Sequence, residues 1–260
     1  MDNLFDSHCH IYSDEFEGMQ SEIIARAKEN NVTQMLVIGC DRITTEMALE
    51  LQDKHVGVYA AAAWHPVDVI GCTEDDMEYL INLWETKKVV AIGETGLDYH
   101  WDTSPKELQK KFFRWHLDQA IKYQLPFIIH NREATEDVLI ILKEYYAKYG
   151  PLRGVMHSFS GSLEMAKEFL KLGLHLSVSG VVTFKNAKHI KEVVPMIPND
   201  KILIETDAPY LTPTPYRGKR NEPAFIRFTA EEVAKLRGIT VEEIAELTTK
   251  NACLLFGVCR

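Results

Sequence analysis

The chain has 260 residues, 46% of them apolar and 26% charged, with a formal net charge of −9 at pH 7. That balance excludes collagen-like, coiled-coil and disordered chains and argues against tight, non-catalytic binding of duplex DNA, which asks for a basic face. A nuclease stays open, because divalent ions bring positive charge of their own.

In chain order, short apolar runs alternate with longer amphipathic ones. The pattern predicts a strand over 3–9, a helix over 19–30, a strand over 34–39, a helix over 44–53, a strand over 56–64 and a helix over 74–86. It continues with strand 89–93, helix 106–123, strand 126–130, helix 134–149, strand 153–157, helix 163–172, strand 174–179, helix 187–194 and strand 201–206, followed by helices 222–237 and 241–256. Repeated strand–helix units imply a parallel sheet with crossover helices. Eight of them point to a (β/α)8 TIM barrel, an α/β fold whose usual length matches this chain, over an open doubly wound sheet. No linker or low-complexity segment interrupts residues 1–260, so a single domain is expected. The most loop-like stretch is 212–223 (TPTPYRGKRNEP), after the last strand.

Five cysteines, an odd number without a CxxC pair, argue against a disulfide framework and for a reducing compartment. The N-terminus, MDNLFDSHCH, is acidic where a signal peptide is basic, and no apolar run approaches a membrane span. The expectation is a cytoplasmic protein with no membrane partner and no obligate protein partner; the lack of a readable exposed apolar stripe favours a monomer.

Asp6, His8 and His10 alternate at the end of the first strand, so the two histidines share a face and can reach one metal ion, with Asp6 placed to orient a ligating histidine. Ten histidines give about 0.4 HxH pairs by chance, so the motif alone decides little. Glu94, His130, His157 and Asp207 each stand where another apolar strand runs out. In a barrel those strand ends gather on one face, where active sites are built. Four histidines and two carboxylates exceed what one ion takes from protein while keeping an open position, and two ions sharing a carboxylate would use them all. Nitrogen-rich coordination suits Zn or Mn better than Mg.

The stretches DSHCH (6–10), WHP (64–66), IGETGLDYH (92–100), IIHNREA (128–134), MHSFSG (156–161), ETDAPYLTP (205–213), RGKRNEP (217–223) and NACLLFG (251–257) run the length of the chain. In that order they closely resemble the TatD family of metal-dependent deoxyribonucleases, within the amidohydrolase-like superfamily. The resemblance implies that His8 and His10 bind a first ion, Glu94 bridges, and His130 and His157 bind a second. It implies that Asp207 sits on the first ion and holds the attacking water, and that the substrate is nucleic acid, with phosphodiester hydrolysis from the 3′ end of single-stranded DNA. Family members commonly carry a second histidine after the HP of the third strand; Val67 stands there, which puts direct transfer of substrate contacts near His65 in doubt.

His65 reads as a phosphate contact or a packed strand-end imidazole, and Arg132 as a phosphate clamp or a surface ion-pair partner. Arg217, Lys219 and Arg220 read as a guide for the strand or a solvated loop, and Tyr99, Trp101 and Tyr210 as base-stacking platforms or loop core. His100 and His116 read as surface or helix residues, and the glycines of GETG as close backbone approaches near the bridge. Two other readings stay open: a metal-dependent hydrolase of esters, amides or lactones on the same barrel, including deacylation of charged tRNA, and an inactive metal-binding scaffold.

Overall fold

A computed structural model describes residues 3–258. Eight parallel strands alternate with helices: β1 (Leu4–Cys9), α1 (Gln20–Glu29), β2 (Val32–Gly39), α2 (Arg42–Lys54), β3 (Val58–Ala62), α3 (Glu74–Glu85), β4 (Ile92–Asp98) and α4 (Lys106–Tyr123). Then come β5 (Phe127–Arg132), α5 (Thr135–Tyr149), β6 (Gly154–Met156), α6 (Leu163–Lys171), β7 (His175–Val178), α7 (Lys188–Val193), β8 (Ile202–Ile204), α8 (Ile226–Arg237) and α9 (Val241–Phe256). The strands pair in sequence order, as β1–β2–β3 and β4 through β8. Two seams join these sheets. Val90 N–H donates to Ala60 O (2.9 Å) and Ala62 N–H to Ala91 O (3.3 Å) on one side; Asp207 N–H donates to His8 O (2.9 Å) and His10 N–H to Ala208 O (2.7 Å) on the other. The ring of eight strands is the (β/α)8 arrangement that the repeated units predict.

Strand periodicity sorts the core into two shells. Phe5, Leu36, Ile38, Ala61, Ile128, Val155 and Leu203 fill the interior, while Leu4, Met35, Val37, Ala60, Ile129, Leu176 and Ile204 face the helices. Helix α9 closes the N-terminal end of the barrel. Its Ala252, Leu255 and Phe256 join the interior cluster, and Asn251 Nδ2 donates to the carbonyls of Asn199 (2.7 Å) and Ile202 (2.9 Å). Function is thereby left to the opposite face, where the strands end.

Several boundaries differ from the sequence pattern. β4 runs through GETG to Asp98, so Glu94 lies within a strand rather than beyond it. The glycines of GETG are close backbone approaches, as the sequence reading has them: a Cβ at Gly96 (φ +140°) would fall 2.0 Å from His130 O. Helix 187–194 shortens to Lys188–Val193, because Pro195 cannot continue it and a 3-10 turn follows. Helix 222–237 starts at Ile226, after a 3-10 turn over Pro223–Phe225. Cys9, Cys40 and Cys72 are free, whereas Cys253 is disulfide-bonded, so a reducing environment does not follow from the cysteine count. No helix among the described residues is long and apolar enough to cross a membrane.

His116 is a helix residue, but a fully buried one. The Trp64 backbone N–H donates to its Nε2 (3.3 Å), and Nδ1 lies 2.8 Å from Thr95 Oγ1. Burial pushes its pKa down to about 3. The unfolded chain takes up a proton below about pH 6.5 and the folded one does not until far lower, so stability falls by about 1.4 kcal/mol per pH unit through that window. His116→Gln keeps an acceptor and a donor without the charge. Urea unfolding at pH 7.5 and 5.5 should show the variant losing about 1.4 kcal/mol less than the native chain over that interval; equal losses would remove His116 as the acid-sensitive group.

Candidate metal centre

At the C-terminal face the strand ends deliver their side chains to one buried point. β1 places His8, and His10 follows it; their Nε2 atoms lie 3.1 Å apart. From β4, Glu94 Oε2 lies 3.2 Å from His8 Nε2 and 3.9 Å from His10 Nε2. Beyond β8, Asp207 Oδ1 lies 3.7 and 3.4 Å from the same nitrogens. The other oxygen of Glu94 faces a second group. Oε1 lies 2.6 Å from His130 Nδ1 at the end of β5, 3.0 Å from His157 Nε2 just past β6, and 3.6 Å from His65 Nε2 past β3. Thus all six expected ligand residues come together, with one carboxylate between two sets of imidazoles.

The far side of three of these rings shows why they point inward. His130 Nε2 lies 2.8 Å from Asp98 Oδ2, and His157 Nδ1 lies 3.0 Å from Glu205 Oε1. His10 Nδ1 lies 3.3 Å from Ile38 O and 2.9 Å from Tyr12 Oη. A ring N–H donated outward to an acceptor leaves the inward nitrogen with its lone pair free, the arrangement metal-binding histidines use. His65 is opposite. Its Nδ1 accepts the Val67 N–H (3.3 Å), so in the neutral ring Nε2 carries the proton and points a donor at the centre. Burial lowers its pKa, which keeps it neutral.

Sequence reasoning missed Asp98, Glu205 and Tyr12. Asp98 and Glu205 had a signal: an acidic residue four after Glu94, and another two before Asp207. Asp6 does something other than orient a histidine ring. It accepts from Thr206 N–H (2.9 Å), Thr206 Oγ1 and, weakly, the His8 backbone N–H (3.3 Å), so it fixes the backbone next to Asp207. Full burial raises its pKa to about 7 in spite of those hydrogen bonds. Asp207 itself has φ +58°, a strained backbone for a non-glycine residue, held by its own N–H to His8 O and by Tyr210 N–H to Asp207 O (2.8 Å).

Burial alone would push the Glu94 carboxyl up; His157, His8, His130 and His65 outweigh it and hold Glu94 well below the usual carboxylate range. Asp207 follows the same logic, its burial outweighed by His10, His157 and His8. A buried anion surrounded by nitrogen donors fits divalent cations. Ligands bonded at about 2.1 Å around a tetrahedral ion lie about 3.4 Å apart, near the 3.1 Å between His8 and His10 and the 3.4 Å from His10 to Asp207.

The remaining expected contacts lie around this point. Arg132, at the end of β5, is exposed and sits over the Trp101 ring (5.6 Å). Arg217, Lys219 and Arg220 are exposed over the rings of Phe184 (3.6 Å), Tyr216 (5.4 Å) and Phe16 (4.8 Å). Trp101 and Tyr210 are more than half exposed, and the Tyr210 ring lies 6.3 Å from that of His10. Tyr99 packs instead, its hydroxyl 2.5 Å from Asp137 Oδ2. His100 is a surface residue, 2.8 Å from Glu133.

Residues 5–257 match the family model described as TatD related DNase. The Bacillus subtilis (strain 168) protein named "Uncharacterized metal-dependent hydrolase YabD" is 51% identical, the match covering 98% of this chain and 99% of that one. The Erwinia amylovora protein named "3'-5' ssDNA/RNA exonuclease TatD" is 33% identical over 98% of this chain and 100% of that one. Among solved structures, the Escherichia coli K12 TatD homolog YJJV superposes with a TM-score of 0.91 at 30% identity, covering 98% of each chain.

Asp98 and Glu205 should matter through the rings they hold. Asp98→Asn and Glu205→Gln should each weaken zinc binding by roughly 10–100-fold. Calorimetric titration of the metal-stripped proteins checks this, with circular dichroism to confirm folding; unchanged affinity in both would show that the rings are oriented without them.

Proposed function

This chain belongs to the TatD-related DNase family of metal-dependent hydrolases, and from that premise we propose that it cleaves phosphodiester bonds in nucleic acid, as a 3′–5′ exonuclease on single-stranded DNA. The observation that carries the reading is Glu94, whose two oxygens face separate imidazole sets: Oε2 toward His8 and His10, Oε1 toward His130 and His157. We assign one ion to His8, His10 and Asp207, a second to His130 and His157, and Glu94 to both. Zn or Mn suits these donors better than Mg. Bound there, a pair of divalent ions neutralises the charge that develops on a phosphoryl group and makes water a better nucleophile.

The protein's own groups do the rest. Asp207 takes the proton of the attacking water, its strained backbone holding the carboxylate at the edge of the cluster. His65 donates its Nε2 proton in a hydrogen bond to a phosphoryl oxygen, a role for which its tautomer is fixed by Val67 N–H. The exposed cations Arg217, Lys219 and Arg220 attract the backbone of the strand, and Tyr210 offers a face for a base.

The test is digestion of end-labelled single- and double-stranded DNA and RNA by metal-stripped protein, with Mg, Mn and Zn restored in turn. Single-stranded DNA should shorten from its 3′ end only when a metal is restored. Cleavage in excess chelator, or hydrolysis of carboxylic esters with no cleavage of nucleic acid, would overturn the reading. Asp207→Asn should lower the single-turnover rate by roughly 10²–10⁴-fold with little change in KM, whereas Glu94→Gln should lose metal; the readout is metal stoichiometry beside cleavage. Neutralising Arg217, Lys219 and Arg220 together should raise KM and flatten the salt dependence of binding. An unchanged KM and salt slope would make the loop merely solvated.

A further inference from the structure

Cys40 brings to the metal centre a free thiol that the hydrolytic reading does not use. The residue directly follows β2, and its backbone N–H donates to Thr44 Oγ1 in the first turn of α2 (2.9 Å), which fixes it on the face where the strands end. Its Sγ lies 4.0 Å from His10 Nδ1, 3.7 Å from Tyr12 Oη and 3.8 Å from Ile38 O. Cys40, His10 and Glu94 each offer one ligand atom, and these atoms lie within 4.8 Å of one another. A sulfur, an imidazole nitrogen and a carboxylate oxygen make a donor set that takes thiophilic ions, whereas Mg and Mn favour oxygen. A sulfur bonded at about 2.3 Å and a nitrogen at about 2.1 Å to one tetrahedral ion lie about 3.6 Å apart, so Sγ and Nδ1 need approach by only about 0.4 Å.

The two nitrogens of His10 face different partners. Nε2 lies 3.1 Å from His8 Nε2 and 3.4 Å from Asp207 Oδ1, while Nδ1 faces Cys40 and Tyr12. A neutral imidazole has one lone-pair nitrogen. With Nε2 on the first hydrolytic ion, Nδ1 carries the proton. With Nδ1 on an ion beside Cys40, the proton sits on Nε2 and points at His8 and Asp207, where the first ion needs a lone pair. We propose that Cys40, His10 through Nδ1, and Glu94 form an inhibitory site for one thiophilic divalent ion, of the Cd or Zn class, whose binding excludes the ion assigned to His8, His10 and Asp207. As that ion binds, bonds to sulfur and to Nδ1 form, the thiol proton passes to water, and the ring proton moves from Nδ1 to Nε2. No electron is transferred. The inference rests on the metal centre and not on the identity of the substrate.

The experiment titrates the metal-stripped full chain with Cd. Ultraviolet absorption reads the charge-transfer band from a thiolate sulfur to the ion, and electron paramagnetic resonance counts bound Mn. The native protein should show the band, and the band should fade as added Mn fills the first site. Cys40→Ser and Cys40→Ala should lack it, whereas Cys72→Ser, a control at a half-buried thiol elsewhere, should keep it. The Cd concentration that halves Mn uptake should be at least about tenfold higher in Cys40→Ser than in the native chain, since losing a ligand costs no less than losing a group that merely orients one. Circular dichroism reports folding, and the fading of the band in the native protein tests the exclusion without any variant. Four results would each overturn the site and leave the nuclease reading untouched: no band in the native protein, a band kept in the folded Cys40 variants, equal halving concentrations, or a full band when Mn saturates the protein. If the stripped protein takes up neither ion, the metal centre fails and this site fails with it.

Discussion

The structure depends on a carboxylate that water cannot reach. Glu94 is 3% exposed in the mouth of the barrel, and an isolated ion there would cost several kcal/mol after relaxation. Its two oxygens must therefore be met by positive or hydrogen-bonding groups from every side. No single strand can supply them, because a strand presents only alternate residues to one face. The partners come from β1 and the residue after it, from the end of β5, from just past β6 and from the segment after β3. A ring of parallel strands, all ending on one face, brings that many independent side chains to one point. The same need explains GETG. Glu94 reaches the middle only because β4 lies so close to its neighbour that a Cβ at Gly93 would fall 2.5 Å from Ile128 Cβ, and one at Gly96 meets His130 O.

Closing the ring and building the site are one event on the side where β8 meets β1. The backbone hydrogen bonds that join those strands belong to His8, His10, Asp207 and Ala208, three of them proposed ligands or their immediate carriers. Asp6 reinforces the seam through Thr206. Its pKa is raised where those of Glu94 and Asp207 are lowered, since no imidazole offsets its desolvation. A residue that looks like a helper of the metal ligands is thus a structural clamp whose effect on the ligands passes through the backbone.

This division accounts for what the sequence could and could not reveal. Strand–helix alternation and ligand-type residues at the ends of apolar runs are patterns along the chain, so the barrel and the six clustered residues were legible. Relations across strands were not. Asp98 and Glu205 act on rings carried by β5 and by the residue after β6, and nothing in their own neighbourhoods names those rings. The donor tautomer of His65 depends on a backbone N–H two residues later, a matter of local geometry. β4 was cut short because the apolar run ends at Gly93, while the strand goes on through Glu94 and Thr95 to Asp98, where the pattern along the chain turns polar. His116 looked like one more polar residue on a helix, since its burial comes from Trp84 and Trp115 around it.

The cations at the mouth show a last use of the same physics, in reverse. Inside, the Glu94 and Asp207 carboxylates are matched by imidazoles. Outside, Arg132, Arg217, Lys219 and Arg220 rest on aromatic faces and form no ion pair among the described residues. An ion pair would hold such a side chain in place but cancel its field at short range. An aromatic face holds it through the ring quadrupole, at an exposed-site gain of roughly 0.5–1 kcal/mol, and leaves the charge in place. A polyanion that approaches this face meets four cations whose charge no carboxylate among the described residues cancels, in a chain of net charge −9.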